Sequence, residues 1–499
     1  MGVIAIFFGY FDALFLFKRA IQPSSNWEIV KMNNGPLPSA VEWLRRMDAG
    51  EISAVELMEQ TVTRIDEADK KLHAVIAQNP EARLAEAKAT DKRRARGERA
   101  PLLGLPVTIK DSIDVAGVLC TGGSHAREHF IPERDATIVA RLRAAGAIVV
   151  AKTNLPEYSS SYESNNAIFG RSLHPLDPNR TPGGSSGGEG ALLGADASII
   201  GIGIDGGGSI RVPSHYCGIV GLRPSVGRVP DTGTWPATRD VGYRDLMCVG
   251  PMCRYVEDLA LLLPIISGPD WVDPYALPFP LGEPSEVDVS GLSVGYYDYD
   301  GVARVSEATR HAVKATADAL ADAGATVTTT EPPDVAEATG MFFDLIAADG
   351  GVRTRRDLDG AGGRHTAQFQ GLLDGFTDPT LTSTFFDVQG RFFAIRSRVR
   401  QFLNQFDVLV TPVTSGPAPL HEQSPNGEPM ESFYNAFNYT HALAIGGGPV
   451  VVVPAGEQDG LPIGVQIAAQ PYREEVALAA AAAVESALGG FRLRTPLAQ

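Results

Sequence analysis

The sequence predicts an α/β protein built on a largely buried β-sheet. Residues 135–152 show a helical pattern, a stop at Gly146 and then an apolar strand, and the same order recurs over residues 306–327. Residues 198–204 are almost entirely apolar and end abruptly at Asp205 and three glycines, as a buried strand does at a tight turn. Alternation of this kind is typical of a sheet covered by helices.

Composition limits the function classes. The chain has 499 residues, of which 44% are hydrophobic and 20% charged, as in an ordinary globular protein. Its net charge of −16 argues against nucleic acid or an anionic membrane surface as the main partner, because both favour a basic face. The four cysteines are too few and too scattered for a disulfide framework or a zinc site, so we expect a reducing compartment, the cytoplasm.

The N-terminal segment is hydrophobic. Residues 3–17 are apolar apart from Asp12, but they are too short for a comfortable membrane span and lack the features of a secretory signal. Three interpretations stay open: a peripheral membrane anchor, a helix docked on the body, or translated sequence upstream of a start at Met32. The sequence therefore predicts an extension over residues 1–31 and one domain over residues 32–499.

The following elements carry clear local signals. Ser53 and Glu56 form a capping box that opens an amphipathic helix. A charged segment, residues 81–99, predicts a second, solvated helix. Residues 103–111 read as an apolar strand with Lys110 near its end, an unusual place for a lysine.

The second half of the chain begins with a break in the pattern. Residues 270–290 are rich in proline and acid, and they predict a surface loop, a candidate boundary between lobes. Residues 449–454 and 463–468 predict buried strands, and the alanine-rich residues 474–488 predict a helix packed on them.

Two clusters of glycine and serine carry the chemistry. They occupy residues 183–188 and 206–209, and the apolar run leads into the second. Glycine lets consecutive backbone N–H groups turn towards one point, where they bind an anion. If Ser209 is a nucleophile, that anion is the oxyanion of an acyl-transfer intermediate. A flexible linker has a similar composition, but the apolar surroundings argue against it, and no Lys-Ser or Lys-Thr follows for a phosphate loop.

Three chemistries fit these residues. Residues 183–187 match the serine elbow of Ser-His-Asp hydrolases, for which His441 is a candidate base. His125, Glu128 and His129 match a short metal-binding motif, although glycines before it and a proline after it leave little room for the helix that it needs. The third chemistry is acyl transfer with a lysine as base.

Several motifs in the same order favour the lysine chemistry. They closely resemble those of the amidase signature family over roughly Met32 to the C-terminus. The resembling stretches are VTIKDSIDVAG around Lys110, KTNLPE from Lys152, GGSSGGEGAL from Gly183, DGGGSIRVPSHYCGIVGLRPS from Asp205, DVLVTP from Asp407 and LPIGVQI from Leu461. The resemblance implies a large single-domain αβα sandwich with a central twisted mixed sheet, and an amidase without metal or cofactor.

The resemblance also implies a role for each matching residue. Ser209 matches the nucleophile, Lys110 the base, and Ser185 the serine that relays the proton and whose peptide bond is cis in the family. A lysine can act as base only where burial keeps it neutral. The oxyanion hole matches the backbone of residues 206–209, that is Gly206, Gly207, Gly208 and Ser209. Three polar residues match supporting positions: Ser186, Asp205 and Arg211.

The resemblance leaves the substrate open. Tyr158, Ser159 and Ser160 fall at the acyl-binding wall of the family and suggest a fairly polar pocket, to which Phe342, Phe343 and Phe385 would add apolar surface. Gly206 departs from the family, which usually has a β-branched residue there, and a third glycine would loosen the oxyanion hole.

The resemblance implies a small-molecule amide as substrate, whether aryl, aliphatic or carbamate. The main alternative within the family is the glutaminase subunit of a tRNA-dependent amidotransferase, which requires partner subunits. A homodimer and a peripheral membrane contact through residues 3–17 also stay open.

Overall fold

The fold is organised around one large β-sheet. In the computed structural model the strands are, in chain order, β1 (Val75–Gln78), β2 (Pro106–Lys110), β3 (Ile148–Thr153), β4 (Asn165–Asn166), β5 (Gly170–Arg171), β6 (Ile200–Asp205), β7 (Val220–Arg223), β8 (Cys248–Cys253), β9 (Ser293–Tyr296), β10 (Thr326–Thr329), β11 (Val408–Pro412), β12 (Val450–Gln458) and β13 (Leu461–Ala469). Eleven of them pair in the order β1-β3-β2-β6-β8-β7-β12-β13-β11-β9-β10, whereas β4 and β5 pair separately. The sheet is mixed, since β2 runs parallel to β3 and β6 while β8 runs antiparallel to β6 and β7.

Helices surround this sheet. They are α1 (Ala40–Asp48), α2 (Ala54–Leu72), α3 (Pro80–Ala95), α4 (Thr137–Ala144), α5 (Gly187–Gly194), α6 (Arg211–Cys217), α7 (Val256–Ile266), α8 (Glu307–Asp322), α9 (Ala338–Ile346), α10 (Val352–Asp357), α11 (Ala367–Asp374), α12 (Thr382–Leu403), α13 (Asn438–Gly446) and α14 (Glu474–Leu488).

The sheet is buried on both faces. Along β12, Val451 and Val453 pack into one hydrophobic cluster, whereas Val450 and Val452 join two others. Successive strand residues point to opposite faces, so helices must cover both sides. α8 and α14 pack on this part of the sheet and on each other, and α6 also contacts β12 and β13. The result is the predicted αβα sandwich.

The local predictions are confirmed with small shifts of boundary. α2 begins at the capping box, in which Ser53 accepts from the Glu56 N–H and Glu56 accepts from the Ser53 N–H. The predicted strand over residues 103–111 is shorter, because β2 covers Pro106–Lys110 only. The loop over residues 270–290 contains short 3₁₀ turns at its end, Pro284–Glu286 and Val289–Gly291.

The structure describes residues 36–237, 243–333, 335–376, 381–423, 425 and 430–493. Contacts group Leu37–Gln499 into one compact unit, and the other unit, Met1–Pro36, lies outside the described residues except for Pro36. The predictions for residues 3–17 and the division at Met32 therefore fall outside them. In the described parts, no helix combines the length and apolar character of a membrane span.

Candidate active site

Two parallel strands bring the predicted polar residues to one edge of the sheet. β2 and β6 are neighbours in parallel register, with Ile109 opposite Ile202. β2 ends in Lys110 and β6 ends in Asp205. The carboxyl ends of neighbouring parallel strands lie at the same edge, where open α/β sheets commonly bind ligands.

Lys110 is fully buried and contacts Ser185. Its Nζ donates to Ser185 Oγ at 2.5 Å. Burial lowers the pKa of Lys110 to about 7, against the opposing effects of Asp205 and Glu189. The peptide bond between Gly184 and Ser185 is cis. A neutral amine in direct contact with a hydroxyl can accept a proton from it.

Ser209 stands in the turn after β6 and lines a cavity. Its peptide oxygen accepts from the N–H of Ser186 at 3.1 Å, which ties this turn to the loop of Ser185. Among the described residues, no hydrogen bond links the Ser209 side chain to Ser185. The structure thus brings Lys110 and Ser185 into contact and places Ser209 on the neighbouring loop.

The backbone N–H groups of the glycine turn, residues 206–209, are of two kinds. The Gly208 N–H donates to Asp205 Oδ1 at 2.8 Å, so it is already engaged. Gly208 has φ of 134°, a conformation that disfavours any side chain. Within the described part of the chain, the N–H groups of Gly206, Gly207 and Ser209 have no such acceptor.

The space beside Gly206 is occupied. A Cβ at this position would lie 2.5 Å from Met247 Sδ and 3.1 Å from the Tyr243 hydroxyl. Both side chains come from the segment just before β8. Met247 and Tyr243 therefore fill the space that a β-branched side chain at Gly206 would occupy.

Asp205 and Arg211 form a buried ion pair below this turn. Arg211 Nε and Nη2 donate to Asp205 at 3.0 and 2.9 Å, and Arg211 Nη1 donates to the Thr440 carbonyl and Gln466 Oε1. Burial raises the pKa of Asp205, but the charge and hydrogen bonds of Arg211, the charge of Arg223 and the Ile210 N–H together outweigh burial and lower the pKa to about 2. Asp205 is thus a fixed carboxylate that holds the Gly208 and Ile210 N–H groups.

Glu189 is a buried neighbour that sequence reasoning missed. It bonds to the hydroxyls of Thr108 and Thr153, on β2 and β3, at 2.5 and 2.9 Å. Burial raises its pKa to about 8, so the carboxyl is mostly protonated at neutral pH. The signal was a single acidic residue inside the glycine-rich and apolar sequence of α5. Negative charge on Glu189 raises the pKa of Lys110, so burial, which favours the protonated carboxyl of Glu189, also favours the neutral amine of Lys110.

The cavity beside Ser209 measures about 630 Å³. Tyr158, Ser159 and Ser160 line it, as do the three phenylalanines that the sequence indicated: Phe342, Phe343 and Phe385. Further apolar lining residues are Tyr243, Leu345, Ile346, Val352, Leu372 and Phe376. Polar residues 158–160 and apolar side chains of α9 and the segment after it thus line the same cavity.

His441 is held by both ring nitrogens. The Tyr162 hydroxyl donates to the Gly207 carbonyl at 2.8 Å and lies 2.7 Å from His441 Nε2, which therefore donates to it. His441 Nδ1 lies 3.0 Å from the Thr339 hydroxyl, which itself donates to Asn438 Oδ1. Burial lowers the pKa of His441 to about 3. Neither nitrogen faces Ser185 or Ser209 in a hydrogen bond, so the ring supports the glycine turn through Tyr162.

Two residues of the histidine motif, His125 and Glu128, contact each other, and Glu128 also contacts Arg364. His125 lies in a three-residue 3₁₀ turn, His125–Arg127, and its Nδ1 contacts Glu128 at 2.5 Å. Glu128 also receives both guanidinium nitrogens of Arg364 at 3.0 Å each. Over the described ranges, no three His, Cys, Asp or Glu side chains cluster as metal ligands.

Comparison with known proteins gives the context. A sequence model of the family described as Amidase matches residues 56–478. A glutamyl-tRNA(Gln) amidotransferase subunit of Thermus thermophilus is 32% identical over 91% of this chain and 98% of its own length. Indoleacetamide hydrolase of Bradyrhizobium diazoefficiens is 32% identical over 90% of this chain and 86% of its own length. A bacterial aryl acylamidase structure superposes with a TM-score of 0.82 at 26% identity, covering 91% of this chain and 97% of that one.

The chain belongs to the amidase signature family. It is an amide-hydrolysing enzyme with the α/β fold of that family. The Ser-His-Asp alternative lacks its elbow, because residues 172–186 contain no strand before α5.

Proposed function

We propose that this amidase cleaves carboxylic amides through an acyl-enzyme on Ser209. The observation that carries the proposal is the contact between the buried Lys110 amine and Ser185. Ser209 Oγ attacks the amide carbon, and its proton passes through Ser185 to Lys110. The same proton then returns through Ser185 to the leaving nitrogen, so the C–N bond breaks without an added cofactor. Water repeats the attack and releases the acid.

The N–H groups of Gly206, Gly207 and Ser209 form the oxyanion hole in this proposal. They are the donors of the turn that no described acceptor engages, whereas Gly208 is committed to Asp205. Such preorganised donors are usually the largest single contribution to acyl transfer. Asp205, Arg211 and Ser186 act by holding this turn in place.

The substrate in this proposal is an amide with a large apolar portion, aryl or aliphatic. A cavity of about 630 Å³ lined by aromatic and aliphatic side chains favours such a group over a short polar one. Four buried, free cysteines support a reducing compartment, and we assign the enzyme to the cytoplasm.

Labelling with a fluorophosphonate tests the nucleophile. The reagent should add to the peptide that contains Ser209 and should not add in Ser209→Ala. Addition at Ser185 or Ser186 instead would replace the proposed nucleophile.

A second candidate is the glutaminase component of an amidotransferase complex, because relatives with that description are as similar as the hydrolase. Free glutamine is zwitterionic, and Asp349, Arg353 and Arg356 are the charged side chains of the cavity lining that would hold its charges, whereas the aromatic and aliphatic part of the lining favours an apolar amide. Partner subunits that copurify, together with glutamine hydrolysis that exceeds apolar amide hydrolysis, would support this candidate.

A further inference from the structure

One wall of the cavity is contributed by a segment that follows α9. We call residues 350–376 the cap segment; it contains α10 and α11. It supplies six of the residues that line the cavity with Ser209: Val352, Arg353, Thr354, Arg356, Leu372 and Phe376. The shape of the substrate space therefore depends on where the cap segment docks.

The cap segment docks on the chain just before the predicted acyl wall. His365 Nδ1 contacts Glu157 Oε1 at 2.9 Å, and the Ser124 hydroxyl donates to the same oxygen at 2.8 Å. The His365 and Glu157 side chains are only 7% and 1% exposed. Glu157 Oε2 is buried and has no hydrogen-bond partner among the described residues. The Glu157 carboxyl group therefore has few hydrogen-bond donors, and His365 is one of them.

The residues next to Glu157 make the wall itself. Tyr158 and Ser159 both adopt left-handed conformations, with φ of 58° and 56°, which non-glycine residues hold only when their surroundings enforce it. The cap segment supplies two such contacts: Asp357 accepts from the Tyr158 hydroxyl at 3.0 Å, and Gln368 donates to Ser161 Oγ at 2.9 Å. The position of the cap segment and the conformation of the wall therefore depend on the same contacts.

The adjacent Arg364 provides a contrast. Its ion pair with Glu128 joins the cap segment to residues 124–128, which contact Glu157 through Ser124, but the side chains are 48% and 25% exposed. Exposed ion pairs contribute little to stability, whereas a buried carboxyl oxygen that loses its hydrogen-bond partner is left with the cost of its desolvation. Of the two contacts, the His365–Glu157 pair is the one that fixes the position of the cap segment.

We propose that His365 and Glu157 are positioning residues that hold the cap segment against residues 158–161 and thereby set the preference of the enzyme for amides with a large apolar group. This inference rests on the proposed function, because it concerns the same cavity. His365 does not line the cavity, so it acts through the placement of the residues that do.

The test compares a small and a large amide, propanamide and phenylbutanamide. His365→Leu keeps the bulk but removes the ring nitrogens, and it should lower kcat/KM for phenylbutanamide about tenfold more than for propanamide, mainly through KM. His365→Asn keeps an N–H near the position of Nδ1 and should recover most of this loss. Arg364→Ala is the matched control and should change the ratio by less than about twofold.

Equal losses on both amides, an unchanged ratio in His365→Leu, or the same selective loss in Arg364→Ala would overturn the proposal. Should His365→Leu fail to fold, Gln368→Ala at an exposed position of the cap segment provides the same comparison, with a smaller selective loss expected and an unchanged ratio counting against it.

Calorimetry on Ser209→Ala separates this inference from the proposed function. Adding His365→Leu to that background should raise the Kd for phenylbutanamide about tenfold. If the wild type hydrolyses neither amide, the proposed function fails, yet the Kd comparison still decides whether His365 shapes the cavity.

Discussion

Lys110 illustrates how burial alone can change the chemistry of one side chain. A lysine in water has a pKa near 10.4 and is almost wholly protonated at neutral pH. Burial lowers the pKa of Lys110 to about 7. We therefore expect kcat/KM to rise from pH 5 towards a plateau above about pH 8, with its midpoint near 7, because the deprotonated amine is the active form. A pH profile of kcat/KM on an apolar amide measures this directly.

Removal of the Lys110 amine should remove most of the rate. In Lys110→Ala the proton of Ser209 has no acceptor, so we expect kcat/KM to fall by about a thousandfold or more if the three residues act as a unit. Circular dichroism should show an intact fold. A Lys110→Ala enzyme that keeps its activity and its pH midpoint would contradict the assignment of the base.

His441 is the residue against which Lys110 is best compared. With a pKa lowered to about 3, His441 stays neutral throughout the range in which Lys110 titrates. His441→Ala loses the support of Tyr162 and of the Gly207 carbonyl, so we expect a loss in kcat of less than about tenfold. The alkaline rise of kcat/KM should persist in this variant. A His441→Ala enzyme as inactive as Ser209→Ala would instead make the histidine the base.

At the scale of an element, the conformation of the turn after β6 depends on the side chains that pack against it. A side chain at Gly206 meets Met247 and Tyr243, so overpacking should distort the turn. We expect Gly206→Val to lower kcat by about tenfold or more, since misplaced oxyanion donors weaken transition-state binding. Steady-state kinetics on the purified variant provides the measurement.

A second substitution checks this explanation. Met247→Ala opens the space that a valine needs, so Gly206→Val with Met247→Ala should recover much of the lost kcat. Residues in contact couple in this way, whereas independent sites add. If the losses in kcat of the two single variants simply add in the double variant, Met247 does not compensate for the missing side chain at Gly206.

The sequence predicted the residues of the proposed mechanism better than it predicted the residues that pack around them. Lys110 at a strand end and the glycine turn before Ser209 are local features, and the structure puts Lys110 and Ser185 in contact. The roles of Met247, His365 and Glu128 could not be predicted, because each depends on contacts between segments far apart in the chain. Periodicity and turn residues carry no information about such pairings.

For the whole molecule, the sequence predicted the class of the fold and not the order of its strands. The alternation of helices and apolar runs indicated a covered sheet, and α14 begins and ends where its alanine-rich pattern does. Strand order depends on crossovers: β8 inserts between β6 and β7, although both precede it in the chain. No local signal in residues 248–253 marks that insertion.

The domain boundary gives the last prediction. The family match begins at residue 56, and one compact unit begins at Leu37, so the residues of the proposed mechanism all lie well after Met32. A chain that starts at Met32 should therefore fold and hydrolyse apolar amides with kcat/KM within about twofold of the full chain, because it retains the whole compact unit and the whole family match. Its midpoint of thermal unfolding should also stay within about 3 °C of that of the full chain. This shift is smaller than the one that a loss of about 1 kcal/mol in the free energy of unfolding causes in a smaller domain. Vesicle sedimentation of both chains distinguishes the remaining cases: a loss of vesicle binding with unchanged activity makes residues 3–17 an anchor. A folded but inactive shorter chain would place the extension in the active body and would move the domain boundary to the N-terminus.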